Sequence, residues 1–384
     1  KAAGLIFGAK GTKTTDFYVY DPLADTWAGR RPVPLGPEGK PLFRGAAGCG
    51  NGAGLLYATK GNNTCGFWRY SAALDTWTRL ADVPLGSSGK RVKGGTDLVY
   101  VPGPQDYVYC LKGYRNEFYR YNPTLDSWEL RAAPNAPAQK WDKGSWLAYD
   151  GTNTIYAHQA KYHNLLAYNT NLDTWAVMEK GMPKLSRYTG RTKKSRDGAA
   201  AAFGNGSVLA LKGGNTQEFW RYDVAGDSWH ELDTMPAYGT SGKRKKVKAG
   251  GDLVEMSGTF YAFKGNKTLE FWQYVPAPAQ CQMARVSGVQ AMSSAGRARS
   301  LAIAPNPLRP DVAMLQVRGA ASRWSCGPVM VSVIDVSGRC VLRSSFAAPT
   351  ASMLLDLRRL CAGVYLVKIG VGRDVITQKL VVQG

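Results

Sequence analysis

Three observations predict an all-β fold for this chain, a six-bladed β-propeller of four-stranded blades plus a C-terminal immunoglobulin-like β-sandwich. An Asp-(Thr/Ser)-Trp triplet ends at Trp27, Trp77, Trp128, Trp175 and Trp229, at intervals of 47 to 54 residues. Short aromatic and Gly-rich segments recur in the same phase as the triplet. After residue 300 the pattern changes to apolar residues alternating with polar ones between glycine-containing turns. Self-similarity at a fixed period of about 20–50 residues marks rings, solenoids or arrays, whose units cannot bury their faces alone. The boundaries that follow are 1–275 for the ring, 276–300 for a Ser/Ala/Gly/Arg-rich linker, and 301–384 for the sandwich.

Each repeat offers four strands in a fixed order. A Gly-rich strand opens copies two to six: RGAAGCG (44–50), GGTDLVYV (94–101), GSWLAYD (144–150), DGAAAAFG (197–204) and GGDLVEM (250–256). Its small residues suit the crowded axis of a ring. The second strand ends in a Lys-Gly turn at Lys10, Lys60, Lys112, Lys212 and Lys264, with YAHQAKY (156–162) as a degenerate fourth copy. These lysines are expected either to line the channel or to pair with neighbouring carboxylates. The third strand is aromatic: DFYVY (16–20), GFWRY (66–70), EFYRY (117–121), LLAY (165–168), EFWRY (218–222) and EFWQY (270–274). The triplet then starts the fourth strand, its Asp suited to capping the preceding turn. The large Tyr and Trp side chains are expected to fill the outward-widening wedge between blades. The first copy lacks its Gly-rich strand and the sixth its Trp strand, so either residues 284–292 of the linker return as a closing strand or upstream residues are missing.

In period, in the Tyr…Gly turn and in the spaced Trp, residues 1–275 resemble kelch repeats, with Lys-Gly standing where that family usually has Gly-Gly. The tail is similar to the type A C-terminal sorting domain of type IX secretion substrates. That resemblance rests on Pro305-Asn306-Pro307, on Asp335 with Gly338-Arg339, on Leu360 leading into Gly363-Val364-Tyr365, and on the closing Lys379-Leu380-Val381-Val382. It implies a bacterial protein carried across the outer membrane, secreted or held on the outer surface. An ordinary accessory sandwich is the alternative for this segment.

Composition bounds the function. The 49 basic residues against 28 acidic ones give a net charge of +21, with cations in excess in both parts, a field that favours anionic partners. The seven cysteines contain no Cys-x-x-Cys, so a structural zinc site is not expected; tail disulfides or buried thiols are the open alternatives. No run of about 18 apolar residues exists to span a membrane. The chain opens at Lys1 without Met, which fits either a removed leader or a partial sequence.

No catalytic set, cofactor or metal site is predicted. The three histidines, His158, His163 and His230, form no triad, and His158 and His163 read as solvated or capped loop residues. Carboxylates recur with the repeat, so structure accounts for them. Cations instead gather before the Gly-rich strands: Lys90, Arg91 and Lys93; Arg191, Lys193, Lys194 and Arg196; and Lys243, Arg244, Lys245, Lys246 and Lys248, with Lys40, Arg44, Lys140 and Lys143 at the other copies. These are expected to form an anion-binding collar on one propeller face. The function expected is a non-enzymatic binding or assembly module at the cell surface, taking a protein or anionic glycan partner, with a homo-oligomer or polymer as a further expectation. A carbohydrate-active enzyme or lectin for acidic glycans is the alternative. Nucleic acid is ranked low, because no reading helix or stacking platform accompanies the charge.

Overall fold

The computed structural model describes residues 1–276 except 2, 136–138 and 240–241, and in the tail the strand segments 302–304, 314–318, 329–335, 340–346, 353–356, 363–371 and 374–382. The chain divides into two compact units, Lys1–Val275 and Pro276–Gly384.

Unit one is all-β and propeller-like: six consecutive antiparallel meanders, each strand paired with its sequence neighbour. Blade three shows the plan, with Asp97–Val101 innermost, then Tyr107–Lys112, Glu117–Asn122 and Ser127–Arg131 outermost. Blades two to five have four strands. Blades one (Ile6–Ala9, Phe17–Asp21, Thr26–Arg30) and six (Asp252–Met256, Thr259–Phe263, Phe271–Tyr274) have three among the described residues, without the Gly-rich and the Trp strand that their copies lack in the sequence. The linker's closing strand lies outside the described residues.

One aromatic relation repeats around the ring. The first aromatic residue of each third strand inserts edge-on between the Tyr and the Trp of the next blade. Phe17 meets Tyr70 and Trp77 at 4.9 and 5.0 Å, Phe67 meets Tyr121 and Trp128 at 4.9 and 4.8 Å, and Phe118 meets Tyr168 and Trp175 at 4.9 and 5.0 Å. Leu165 takes this place against Tyr222 and Trp229, and Phe219 meets Tyr274 at 5.0 Å. Phe271 of blade six then meets Tyr20 and Trp27 of blade one at 5.0 and 5.1 Å, so the ring closes by the same packing. Edge-to-face pairs of this kind add about 0.5–1.5 kcal/mol each beyond their buried area.

The triplet aspartates correct an expectation. Asp75, Asp126 and Asp173 hold left-handed backbone (φ 47–54°) and accept the hydroxyl of the Tyr five residues earlier at 2.6 Å. The same oxygens accept a backbone N–H from the preceding blade, at Arg31, Ala81 and Ala132. The neighbouring Trp indoles donate to carbonyls of the same three residues. The triplet is a staple between blades rather than a cap for its own turn.

At the axis the backbones approach so closely that only glycine fits. A Cβ on Gly198, at φ +83°, would lie 2.0 Å from Lys248 O, and one on Gly144, at φ +89°, 2.2 Å from Arg196 O.

The Lys-Gly turns are interior features. Lys60, Lys112, Lys212 and Lys264 are fully buried, so none lines the channel. Lys112 Nζ donates to Glu117 Oε2 at 2.9 Å and to the carbonyls of Pro84 and Leu85 at 2.7 Å each. Lys212 donates to Glu218 at 2.5 Å and to Lys184 O at 2.8 Å, and Lys264 pairs with Glu270. Each lies over the aromatic ring two residues past its carboxylate position, such as Tyr119 for Lys112 at 5.8 Å and Trp220 for Lys212 at 5.6 Å. Lys60 faces Gly66 across the turn and takes its carboxylate from Glu38 in the connecting loop, at 3.6 Å. Lys10, half-exposed, pairs with Asp16 at 3.3 Å. In blade four the same register holds a neutral pair, Asn164 Nδ2 donating to Gln159 Oε1 at 2.8 Å, which explains the degenerate sequence there.

The two neighbouring histidines are buried, not solvated. His158 stacks on Trp146 at 5.2 Å with Nδ1 3.1 Å from Asn164 O. His163 sets Nδ1 3.0 Å from Met182 O, and its Nε2 accepts the Ser195 N–H at 3.1 Å. Burial pushes His158 down to about 3 and His163 to about 4, so both are neutral.

The tail forms two antiparallel sheets. One orders Ala302–Ala304, Met314–Arg318 and Met353–Asp356; the other orders Cys340–Phe346, Val329–Asp335, Gly363–Val371 and Asp374–Val382. Tyr365 and Val367 are buried between exposed Val364, Leu366 and Lys368, the expected period of two.

Two outcomes follow. Lys112→Met, which strands Glu117 beside two carbonyls, should cost about 3–5 kcal/mol. The double change Lys112→Gln/Glu117→Asn, which copies blade four, should recover much of that loss in chemical denaturation. Equal midpoints for the single and double variants would refute the pairing logic. The histidines set a pH dependence. Unfolded, they take up protons below about 6.5, whereas folded they do not until about 4 and 3. Their contribution is therefore whole above pH 6.5 and falls as pH drops through 5. His158→Gln/His163→Asn should flatten the decline in Tm between pH 7 and pH 5; an unchanged decline would show that the two histidines do not cause it.

Candidate functional site: the basic loop face

In a meander, successive turns alternate between the two ends of the blade. The connections between blades (31–46, 81–96, 132–145, 178–199 and 232–251) therefore emerge at the same end as the Lys-Gly turns. Cross-links confirm it: Thr64 bridges Val92, Thr216 bridges Val247, the Tyr114 N–H donates to Trp141 O at 2.6 Å, and the Lys161 N–H to Ser195 O at 2.9 Å. Together they make one loop face.

The collar residues lie on this face. Lys93, Arg196 and Lys248 stand nearest the axis, since their carbonyls abut Gly45, Gly144 and Gly198 of the preceding blade. Lys90, Arg91, Arg191, Lys193, Lys194, Lys243 and Arg244 are exposed farther along the same connections. Lys245 and Lys246 are half-buried, so they are the weaker members. Among the described residues no ion pair engages Lys90, Arg91, Lys93, Arg191, Lys193, Lys194, Arg196, Arg244 or Lys248. Cations on one face without carboxylate partners give a positive field that soluble anions can reach.

Four of the five connections are pinned from below by an apolar residue ahead of a proline. Buried Val33, Val83, Met182 and Met235 root the loops, and a proline follows each of them. The Lys-Gly lysines then grip the next carbonyls: Lys60 holds Leu35 O, Lys112 holds Leu85 O, and Lys212 holds Lys184 O. Glu117 also accepts the Ser88 N–H at 3.0 Å, and Glu231 accepts the Ser186 hydroxyl and the Arg187 N–H at 2.6 Å. The lysines thus shape the site without touching its surface. Burial lowers the Lys212 and Lys60 ammonium groups below the usual lysine range, against the pull of Glu218 and Glu38. The return of Val-Pro-Leu-Gly at 33–36 and 83–86 is the sequence signal for these loops that the strand-based reading passes over.

Two carboxylates break the repeat on the innermost strands. Asp97 and Asp252 occupy the position held by Ala47, Trp146 and Ala200 in the other blades. Asp97 Oδ2 accepts the Leu147 N–H of blade four at 2.8 Å, and surrounding protein pushes its carboxyl up to about 7. Desolvation also raises Asp252. Sequence reasoning missed both, because aspartate is frequent in every repeat and only the strand register separates these two. Among the described residues, no group of three His, Cys, Asp or Glu side chains is placed to hold a metal ion, and no helix is long and apolar enough to cross a membrane. Cys49, Cys65 and Cys110 are free thiols.

Of the tail motifs, Gly363 opens its strand and Tyr365 is buried opposite Leu380. Pro305, Asn306, Pro307, Gly338 and Arg339 lie outside the described residues.

Solved structures similar to this chain include three from Bacteroides thetaiotaomicron. A structural-genomics protein of unknown function shares 11% identity at TM-score 0.43, covering 67% of this chain and 65% of that one. An auxiliary nutrient binding protein shares 9% at TM-score 0.45, covering 67% and 63%. The extracellular domain of a protein described as a hybrid two-component system shares 10% at TM-score 0.39, covering 96% and 48%. This chain therefore spans less than two thirds of the length of each. No curated protein sequence matches it. Residues 302–383 match the secretion system C-terminal sorting domain. The chain thus ends in a sorting domain, and it is exported to the outer cell surface or beyond.

Proposed function

We propose that the repeat unit is a kelch-like, six-bladed binding module whose loop face takes up an anionic polymer at the cell surface, delivered there by a type A sorting tail. The observation that carries this reading is the set of exposed, unpaired cations around the channel mouth. A polyanion bridging several blades would gain from many weak contacts at once, each screened over about 10 Å at 0.1 M salt. Lys90, Arg91, Lys193 and Lys194 are the residues to change, because they are exposed and carry no structural contact that a serine would break. Replacing all four with Ser should weaken binding of a sulfated polysaccharide several-fold at low salt, as read by isothermal titration, with Tm within a few degrees of the parent. Exposed charges contribute little to stability. Undiminished affinity at low salt would rule the collar out as the binding site.

A second reading is favoured by Asp97. A carboxyl raised to about 7 on an innermost strand, its Oδ2 held by the Leu147 N–H at 2.8 Å, has the protonation that a general acid for glycoside cleavage needs. Under this reading, turnover in a screen of acidic glycans should disappear in Asp97→Asn and persist in the collar variant. Turnover that survives Asp97→Asn would exclude this role.

A further inference from the structure

The loop face carries more than charge. Leu35, Leu85, Leu185, Tyr188, Tyr238 and Leu269 are between 46 and 86% exposed, and all six lie on inter-blade connections or on the blade-six Lys-Gly turn. They are spread over five places around the ring rather than gathered in one groove. The fold does not need the loop residues there: Val33, Val83, Met182 and Met235, buried two or three residues before Leu35, Leu85, Leu185 and Tyr238, already root those loops. Nor are the tips loosely held. Lys60 and Lys112 fix the Leu35 and Leu85 carbonyls from inside, Lys212 fixes Lys184 O beside Leu185, and Glu117 fixes the Ser88 N–H. Rigid apolar tips therefore stand among cations: Leu85 near Lys90 and Arg91 in sequence, and Leu185 and Tyr188 between Lys184 and Arg191, with the Arg187 guanidinium 4.8 Å over the Tyr188 ring.

A soluble polysaccharide would use the cations and leave these leucines wet. A bilayer would use both. Apolar side chains enter the boundary between headgroups and acyl chains while Lys and Arg meet the anionic headgroups, the division of labour seen in interfacial proteins. Each cation near an anionic surface adds to the attraction, and long Lys and Arg side chains can lay their aliphatic stems along apolar surface while the charged heads reach the headgroups.

We propose that the loop face docks flat on an anionic lipid bilayer, with Leu35, Leu85, Leu185 and Tyr238 inserted at the interface and the collar on the headgroup phosphates. This rests on the reading of the same face as an anion-binding surface and adds a lipid surface to the soluble polymer as its partner.

Vesicle flotation with the full chain tests it. The parent should float with vesicles of phosphatidylglycerol and phosphatidylcholine and not with phosphatidylcholine alone. Leu35→Ser/Leu85→Ser/Leu185→Ser/Tyr238→Ser should lose at least tenfold in the bound fraction, yet bind the soluble sulfated polysaccharide as the parent does, which also reports an intact fold. Lys90→Ser/Arg91→Ser/Lys193→Ser/Lys194→Ser should lose both activities. The proposal is overturned if the parent does not float with the anionic vesicles, or if the apolar variant floats as well as the parent. In either case polysaccharide binding, measured separately, still decides the anionic-ligand reading by itself.

Discussion

The ring depends on one constraint: no blade can cover its own faces, so each must present an aromatic edge to the next. Phe17, Phe67, Phe118, Phe219 and Phe271 all do this, and Leu165 does it with an aliphatic side chain. The Tyr hydroxyl on the receiving side is polar and would be costly to bury bare, so it donates to the triplet Asp. That Asp uses the same oxygen to accept an N–H from the blade behind. Packing and hydrogen bonding are thus satisfied by the same three side chains.

A second layer of order lies under the loop face. A buried ammonium is tolerated only when its charge and its donors are met, and around Lys60, Lys112 and Lys212 a carboxylate, one or two loop carbonyls and an aromatic ring meet them. Since the carbonyls belong to the connection from the previous blade, the ion pair ties that loop to the blade core. The irregular segments of the molecule are therefore fixed by its most buried charges. Blade four does without the charge, and Gln159 shows what remains of the device: its Nε2 donates to Gln139 O at 3.1 Å, still reaching the loop.

Much of this was legible in the sequence. The period, the strand order, the glycines at the axis and the Tyr and Trp wedges follow from repetition and residue size, and the structure shows the physical cause of each. The role of the Lys-Gly lysines was half legible. Sequence put Lys112 five residues from Glu117 but did not tell whether they meet inside the blade or outside it, because that depends on which side of the turn the side chains take. The collar was legible as a cluster of charges. Its apolar companions were not, since Leu35 or Leu85 in a sequence looks like any other core leucine until Val33 and Val83 are seen to fill the core. Asp97 was hidden for a related reason: its environment is made by strands from other blades, far away along the chain. Ring closure was not readable, because two incomplete copies left the seam open, whereas the contact of Phe271 with Tyr20 and Trp27 joins blades that lie far apart along the chain.

That closure has an evolutionary consequence. The seam between blades six and one joins by the same Phe, Tyr and Trp contacts as the interfaces that the backbone crosses. The peptide connection between neighbours is thus not what makes them neighbours. A gene for this ring could begin at any blade, and circular permutants opened at a different connection would present the same interfaces in the same cyclic order.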